Sequence, residues 1–122
     1  MFHKVLLALD PHQEPLEPAL ALVTFCGASL TLLAVVPTEP EAAAAETWLG
    51  TVQTALQEQG MAVAGLVRVG QPAFTICDWA DEMNADLIIV GCRGTGLTEE
   101  GMAESVSIRV INLAPCPVLV IP

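Results

Sequence analysis

Gly91-Cys92-Arg93-Gly94, directly after the apolar run Leu87-Ile88-Ile89-Val90, is the segment of this chain best suited to chemistry. Glycines that follow a buried strand let successive backbone N–H groups face an anion such as a phosphate, and a helix starting just beyond adds positive potential. Two further polar corners follow apolar runs, Asp10-Pro11-His12 and Val35-Val36-Pro37. Several chemistries are excluded by what these corners lack. A dinucleotide site needs G-x-G-x-x-G after the first strand, and that corner has no glycine. No P-loop occurs. A phosphoacceptor domain needs an Asp after its third strand and a Lys late in the chain, but the third run ends in Val69-Gly70 and the only Lys is Lys4. No G-x-S-x-G is present, and His3 and His12 both lie in or beside the first strand, so no nucleophile, base and oxyanion hole assemble.

The four cysteines, Cys26, Cys77, Cys92 and Cys116, are scattered, with no CxxC and only two histidines in the chain. Zinc cages and redox motifs require closer spacing. Buried small hydrophobes in a reducing compartment fit better. Trp48 and Trp79 read as packing anchors, and His12 as a solvated loop residue.

The elements that would position these corners alternate. Lys4 to Leu9 is a short continuous apolar run, typical of a strand covered on both faces. Leu16, Ala19, Leu20 and Val23 follow at helical spacing, and Gly27 is a stop. Ser29 to Val36 is a second strand. Pro18 to Thr38 is uncharged for 21 residues, long enough for a membrane span. Gly27 and the flanking Glu17 and Glu39, with no basic anchor at either end, favour a helix followed by a strand instead. Thr38 and Glu41 form a capping-box pattern. The second helix buries Ala45, Trp48, Leu49, Val52, Ala55 and Leu56 and stops at Gly60. Met61 to Val69 is a third strand, and Pro72 opens a third helix carrying Ala73, Ile76, Ala80 and Met83. Asp86 to Gly91 is the fourth strand. Met102, Val106, Arg109, Val110 and Leu113 share one face of a fourth helix, and Cys116 to Ile121 closes the chain as a fifth strand.

Five strands separated by four helices imply an α/β fold, a doubly wound, mostly parallel sheet with helices on both faces. The 122 residues suffice for one domain, spanning 1–122. Apolar residues make up 53% of the chain, with three Phe, two Trp and no Tyr, so the core is aliphatic. Fourteen acids against four bases give a net charge of −10. That balance argues against nucleic acid and against an anionic membrane surface as partners. A soluble, acidic, compact protein is expected.

The segments ADLIIVG and APCPVLVIP, flanking the glycine loop, resemble the C-terminal signature of the universal stress protein family, and the resemblance extends to the first strand ending in Asp10. It covers nearly the whole chain. It implies sheet order 3-2-1-4-5, a cytoplasmic location, a role in stress physiology and a homodimer through the C-terminal strand, 117–121. A partner protein docked by a regulatory adaptor is the further possibility.

Nucleotide-binding members of that family carry G-x2-G-x9-G-[ST] after the fourth strand. On this chain Gly91 and Gly94 match the first two glycines, Thr95 to Ala103 fill the spacer, and Glu104-Ser105 stands where the last pair belongs. The resemblance therefore implies a nucleotide site at Asp10, Val35, Gly91, Arg93, Gly94 and Ser105, interrupted by Glu104. Glu99 and Glu100 add charge to the same loop. Two like charges at about 4 Å repel by roughly 1 kcal/mol in water and about 4 at an effective dielectric of 20. Arg93 is the nearby cation evident from sequence, and it can equally pair with those glutamates. Asp10 before Pro11 also fits a plain turn, Gly91 and Gly94 a tight turn after a strand, and Ser105 an ordinary helix position. The resulting expectation is a non-enzymatic protein with a degenerate site and no cofactor. The alternative is an ATP or AMP sensor with Mg, with slow ATP hydrolysis.

Overall fold

The computed structural model describes residues 1–10, 17–91 and 106–122. Its order is β1 (Lys4–Leu9), α1 (Glu17–Cys26), β2 (Ser29–Val36), α2 (Glu39–Glu58), β3 (Val63–Val69), α3 (Pro72–Glu82), β4 (Leu87–Gly91), a helix α4 described over 106–113, and β5 (Val118–Ile121). All neighbouring strands pair parallel, in the order β3-β2-β1-β4-β5. The α/β class, the strand order and the helices on both faces are those expected from the sequence.

The two faces divide the apolar residues by strand parity. Val5, Leu7, Leu9, Leu30, Leu32, Leu87 and Ile89 pack under α1 and α2, which contribute Ala19, Val23, Ala45, Leu49 and Leu56. Leu6, Leu33, Ile88 and Val90 face the other way, against Ala73, Ile76 and Ala80 of α3 and Val110 of α4. With both faces covered, β1 beyond the exposed Lys4, and β4, must be apolar, which is why they read as unbroken runs. Full burial of each such Leu or Ile is worth roughly 1.5–3 kcal/mol.

The uncharged stretch 18–38 divides as anticipated, into α1 and β2. Among the described residues, no helix is long and apolar enough to cross a membrane. Gly27 and Gly60 both take positive φ, +64° and +88°, and end α1 and α2 in the conformation glycine tolerates best.

Local details depart from expectation. Thr38 occupies the N-cap of α2, but its hydroxyl donates to Glu41 Oε2 at 3.2 Å, and no side chain caps the backbone. Pro40 in the first turn already removes one of the N–H groups that such a box would serve. β3, β4 and β5 start later than predicted. Cys116 leads into Pro117, which lacks an N–H, and Asp86 uses its side chain at the strand start. On α4, Val106 and Val110 turn inward as expected, whereas Arg109 and Leu113 are exposed. Ser107 and Ala114 take the inner positions instead, since small residues let the helix sit close to the sheet. Leu16 and Met102, assigned to helices from spacing, lie outside the described residues.

Candidate functional site

In an open α/β sheet ligands sit beyond the carboxyl ends of the strands, where the winding changes direction. That point here is the junction of β1, β2 and β4. Leu9 pairs with Ala34, so Asp10 and Val35 are level with each other just past that pair. Leu7 pairs with Ile89, so Gly91 ends β4 alongside the end of β1. Asp10 is exposed, Gly91 is half-buried, and Val35 is half-buried against the α3/α4 cluster. The sheet thus gathers three of the six candidate residues at one strand end. The other three, Arg93, Gly94 and Ser105, lie outside the described residues, as do His12, Glu99, Glu100 and Glu104.

One charged group near this end was not singled out from the sequence. Arg68 pairs in register with Val35, and its guanidinium lies over the ring of Trp79, 4.8 Å from the centroid. Nη1 also donates to the carbonyl of Val67 at 3.1 Å. Trp79 is a packing anchor in the α3/α4 cluster, as read, and it also seats this cation. The only sequence signal was position, an Arg one residue before the end of a strand. Trp48 packs against the α1/α2 cluster.

The amino ends of the strands carry a different polar device. Asp86 accepts the backbone N–H of His3 at 2.8 Å and of Lys4 at 3.0 Å, binding the start of β4 to the start of β1. Burial pulls the Asp86 carboxyl upward, but those two N–H groups and the nearby His3 imidazole outweigh it and hold the group below its ordinary value.

Among the described residues, thiol chemistry is not favoured. Cys26, Cys77 and Cys116 are free, and each packs in or against an apolar cluster. Burial, then the charges of Asp78 and Cys116, push the Cys77 thiol up. Burial and Asp86 do the same to Cys116, against a bond from the Ile88 N–H. Thiols so raised are poor nucleophiles at neutral pH. Among the described residues, no three His, Cys, Asp or Glu side chains gather as a metal site would require.

The chain as a whole has counterparts among known proteins. A model of the universal stress protein family matches residues 1–122. A curated universal stress protein from Synechocystis sp. is 45% identical over 136 residues, covering 100% of this chain and 87% of that protein. The universal stress protein of Archaeoglobus fulgidus in complex with dAMP superposes with a TM-score of 0.74 at 18% identity, over 99% of this chain and 98% of that one. A family protein of Arabidopsis thaliana with AMP bound gives 0.67 at 21%, over 98% and 90%.

Proposed function

This chain belongs to the universal stress protein family, and from that premise we propose that it is a non-enzymatic regulator, connected with stress physiology, whose nucleotide site has lost its triphosphate half. One observation carries the reading. Glu104 stands where nucleotide-binding members have the last glycine of G-x2-G-x9-G-[ST], with Glu99 and Glu100 in the same loop. A carboxylate there both fills space that backbone must share with phosphate and repels it. The proposed site is Asp10 and Val35 toward the nucleoside, with Gly91, Arg93, Gly94 and Ser105 toward the phosphate. No cofactor is required, and the cytoplasm is the proposed location.

A second reading rests on what two structural neighbours hold, dAMP and AMP. A monophosphate brings less charge to Glu104 than a triphosphate does, so an adenosine monophosphate is the ligand that such a loop tolerates best. Thermal melting separates the two readings. Millimolar Mg-ATP should leave the midpoint within about 1 °C, whereas a ligand at a hundred times its Kd adds about 2.7 kcal/mol, roughly 10 °C for a chain of this size. A large shift with ATP, abolished by Gly94→Asp, would sink the degenerate-site reading. A shift with AMP alone favours the second. Glu104→Gly should strengthen ATP binding.

In assembly, the proposed state is a homodimer through the C-terminal strand, 117–121. An isologous pairing of this kind stops at two subunits. A partner protein remains compatible with the regulatory role.

A further inference from the structure

β3 ends the sheet on the side away from β5, and the directions of its backbone groups follow from two hydrogen bonds. Leu30 N–H donates to the Ala62 carbonyl at 3.0 Å, and Gly70 N–H donates to the Val36 carbonyl at 3.0 Å. Backbone groups alternate sides along a strand. Ala64, Leu66 and Arg68 therefore point at β2, and Val63, Gly65, Val67 and Val69 point outward. Two of the four outward carbonyls are taken by side chains. Val63 accepts from Gln57 Nε2 at 3.2 Å and from Gln53 Nε2 at 3.4 Å, and Val67 accepts from Arg68. Between them, the N–H and C=O of Gly65 and the N–H of Val67 have no partner among the described residues.

These groups open on a groove of about 330 Å³ between α2 and β3, walled by Glu46, Leu49, Gly50, Gln53, Gly65 and Arg68. At 65 an added Cβ would lie 2.9 Å from Gln53 Oε1 and 3.3 Å from Leu49 Cδ2, side-chain ends that would have to shift into the groove or away from it. Gly50 leaves its part of the wall low, with nothing within 4 Å of an added Cβ. Glu46 is exposed one helical turn from Gly50, and it forms no ion pair among the described residues.

We propose that the outer edge of β3 at Gly65 is a docking slot for an extended, basic peptide segment of a partner protein. The peptide backbone pairs with both groups of Gly65 and with the Val67 N–H, as in strand addition to an open edge. Alternate Lys or Arg side chains of that peptide meet Glu46. Charge selects the occupant. The chain carries −10, which steers cationic segments toward it. A second copy would bring the same charge and a second Glu46 to the slot. This site is separate from the sheet-end crevice and stands whether or not a nucleotide binds there.

The probe is the synthetic peptide acetyl-Val-Lys-Val-Lys-Val-Thr-amide at about 5 mM, a concentration that detects even millimolar affinity, added to the full ¹⁵N-labelled chain with amide exchange followed by NMR. In the free protein, the Gly65 and Val67 amides should exchange at least ~10-fold faster than those of Ala64 and Leu66. The peptide should slow both at least ~5-fold, and its Lys-to-Glu counterpart should not. Gly65→Val should abolish the protection. Glu46→Gln, a surface change that leaves folding intact, should weaken binding about 3- to 5-fold. Four results would each overturn the proposal: slow exchange of Gly65 and Val67 in the free protein, protection that grows with protein concentration alone, protection of Val118 and Val120 instead, or equal binding of the acidic peptide.

Discussion

The two edges of this sheet solve the same problem in opposite ways. β3 is closed largely from within. Gln53 and Gln57 reach across from α2 to the Val63 carbonyl and Arg68 folds back onto Val67, while Gly65 between them has no partner among the described residues. β5 has no such help. Ile88 N–H donates to the Pro117 carbonyl at 3.0 Å, so Val118 and Val120 direct their backbone groups outward, and no side chain bonds to them among the described residues. Their side chains pack against the α3/α4 cluster, while Leu119 is 37% exposed. From Cys116 to Pro122 there is no charge to deter pairing. The α4 helix just before it exposes Ile108 and Ile111 as well. An edge with internal amide donors tolerates solitude, and an apolar edge without them invites a second chain.

The largest effect should come from breaking the open edge. Val120→Pro deletes an outward N–H and leaves untouched the ladder to β4, because that ladder uses the neighbouring residues. In a two-fold contact the loss counts twice, about 1–3 kcal/mol, so dimer dissociation should rise roughly 5- to 150-fold. Sedimentation at micromolar concentration measures it. A wild-type chain that sediments only at the 12.8 kDa of one subunit would reject the dimer. An unchanged dimer in a folded Val120→Pro variant would place the contact elsewhere. Val120→Asp is a less selective probe, since that side chain also packs inside its own subunit.

Much of this architecture is legible in the residues themselves. The buried strands announce themselves as KVLLAL and LIIV because helices cover both faces, and Gly27 and Gly60 mark helix ends because only glycine takes those φ values easily. The family signature supplied the strand order. Less legible was whatever depends on register across elements. Arg68 beside Val35 and over Trp79, or Gln53 and Gln57 on a strand edge, requires knowing which side of β3 each backbone group faces. On α4, Val106 and Val110 pack inward as expected, and Arg109 and Leu113 do not, for a related reason. Periodicity favoured the bulky Leu113, whereas packing selected Ser107 and Ala114. Of the candidate site, the sequence identified the strand ends correctly as neighbours, and Asp10, Val35 and Gly91 come together on adjacent strands.

Opening the closed edge should have a smaller effect of two kinds. Gln53→Ala combined with Gln57→Ala strips the Val63 carbonyl of both donors, costing about 1–2 kcal/mol and lowering the melting midpoint by roughly 3–8 °C. With two open edges, dimers should also begin to join into longer species as concentration rises. Melting and sedimentation of the double variant test both. A midpoint unchanged from wild type would show that water serves Val63 as well as the glutamines do, and the contrast between the edges would lose its basis.

Acid should have the smallest effect, and it should act at the centre of the sheet rather than at either edge. Asp86 lies where β4 begins, and its two carboxylate oxygens hold the His3 and Lys4 N–H groups at the start of β1. The folded state keeps this carboxyl below its ordinary value of 3.8. A depressed folded pKa means that the charged form is favoured by folding, so the stabilisation is complete above that ordinary value. It is lost as pH falls through the lower, folded one. Asp86→Asn keeps the shape and one acceptor oxygen but removes the charge. The variant should therefore be less stable than wild type at pH 7, with the gap narrowing as pH falls below the ordinary value of 3.8. Urea unfolding of both proteins between pH 7 and pH 3 gives that gap directly, since the remaining acids are common to the two and cancel. Hydrogen exchange should show the loosening first at Leu6 and Ile89, whose amides face each other's strand across the β1–β4 junction, with the β3 and β5 amides following. A gap independent of pH would assign the Asp86 contacts to geometry alone. Loosening that began at β5 would make that edge, and not the β1–β4 junction, the acid-sensitive part of the sheet.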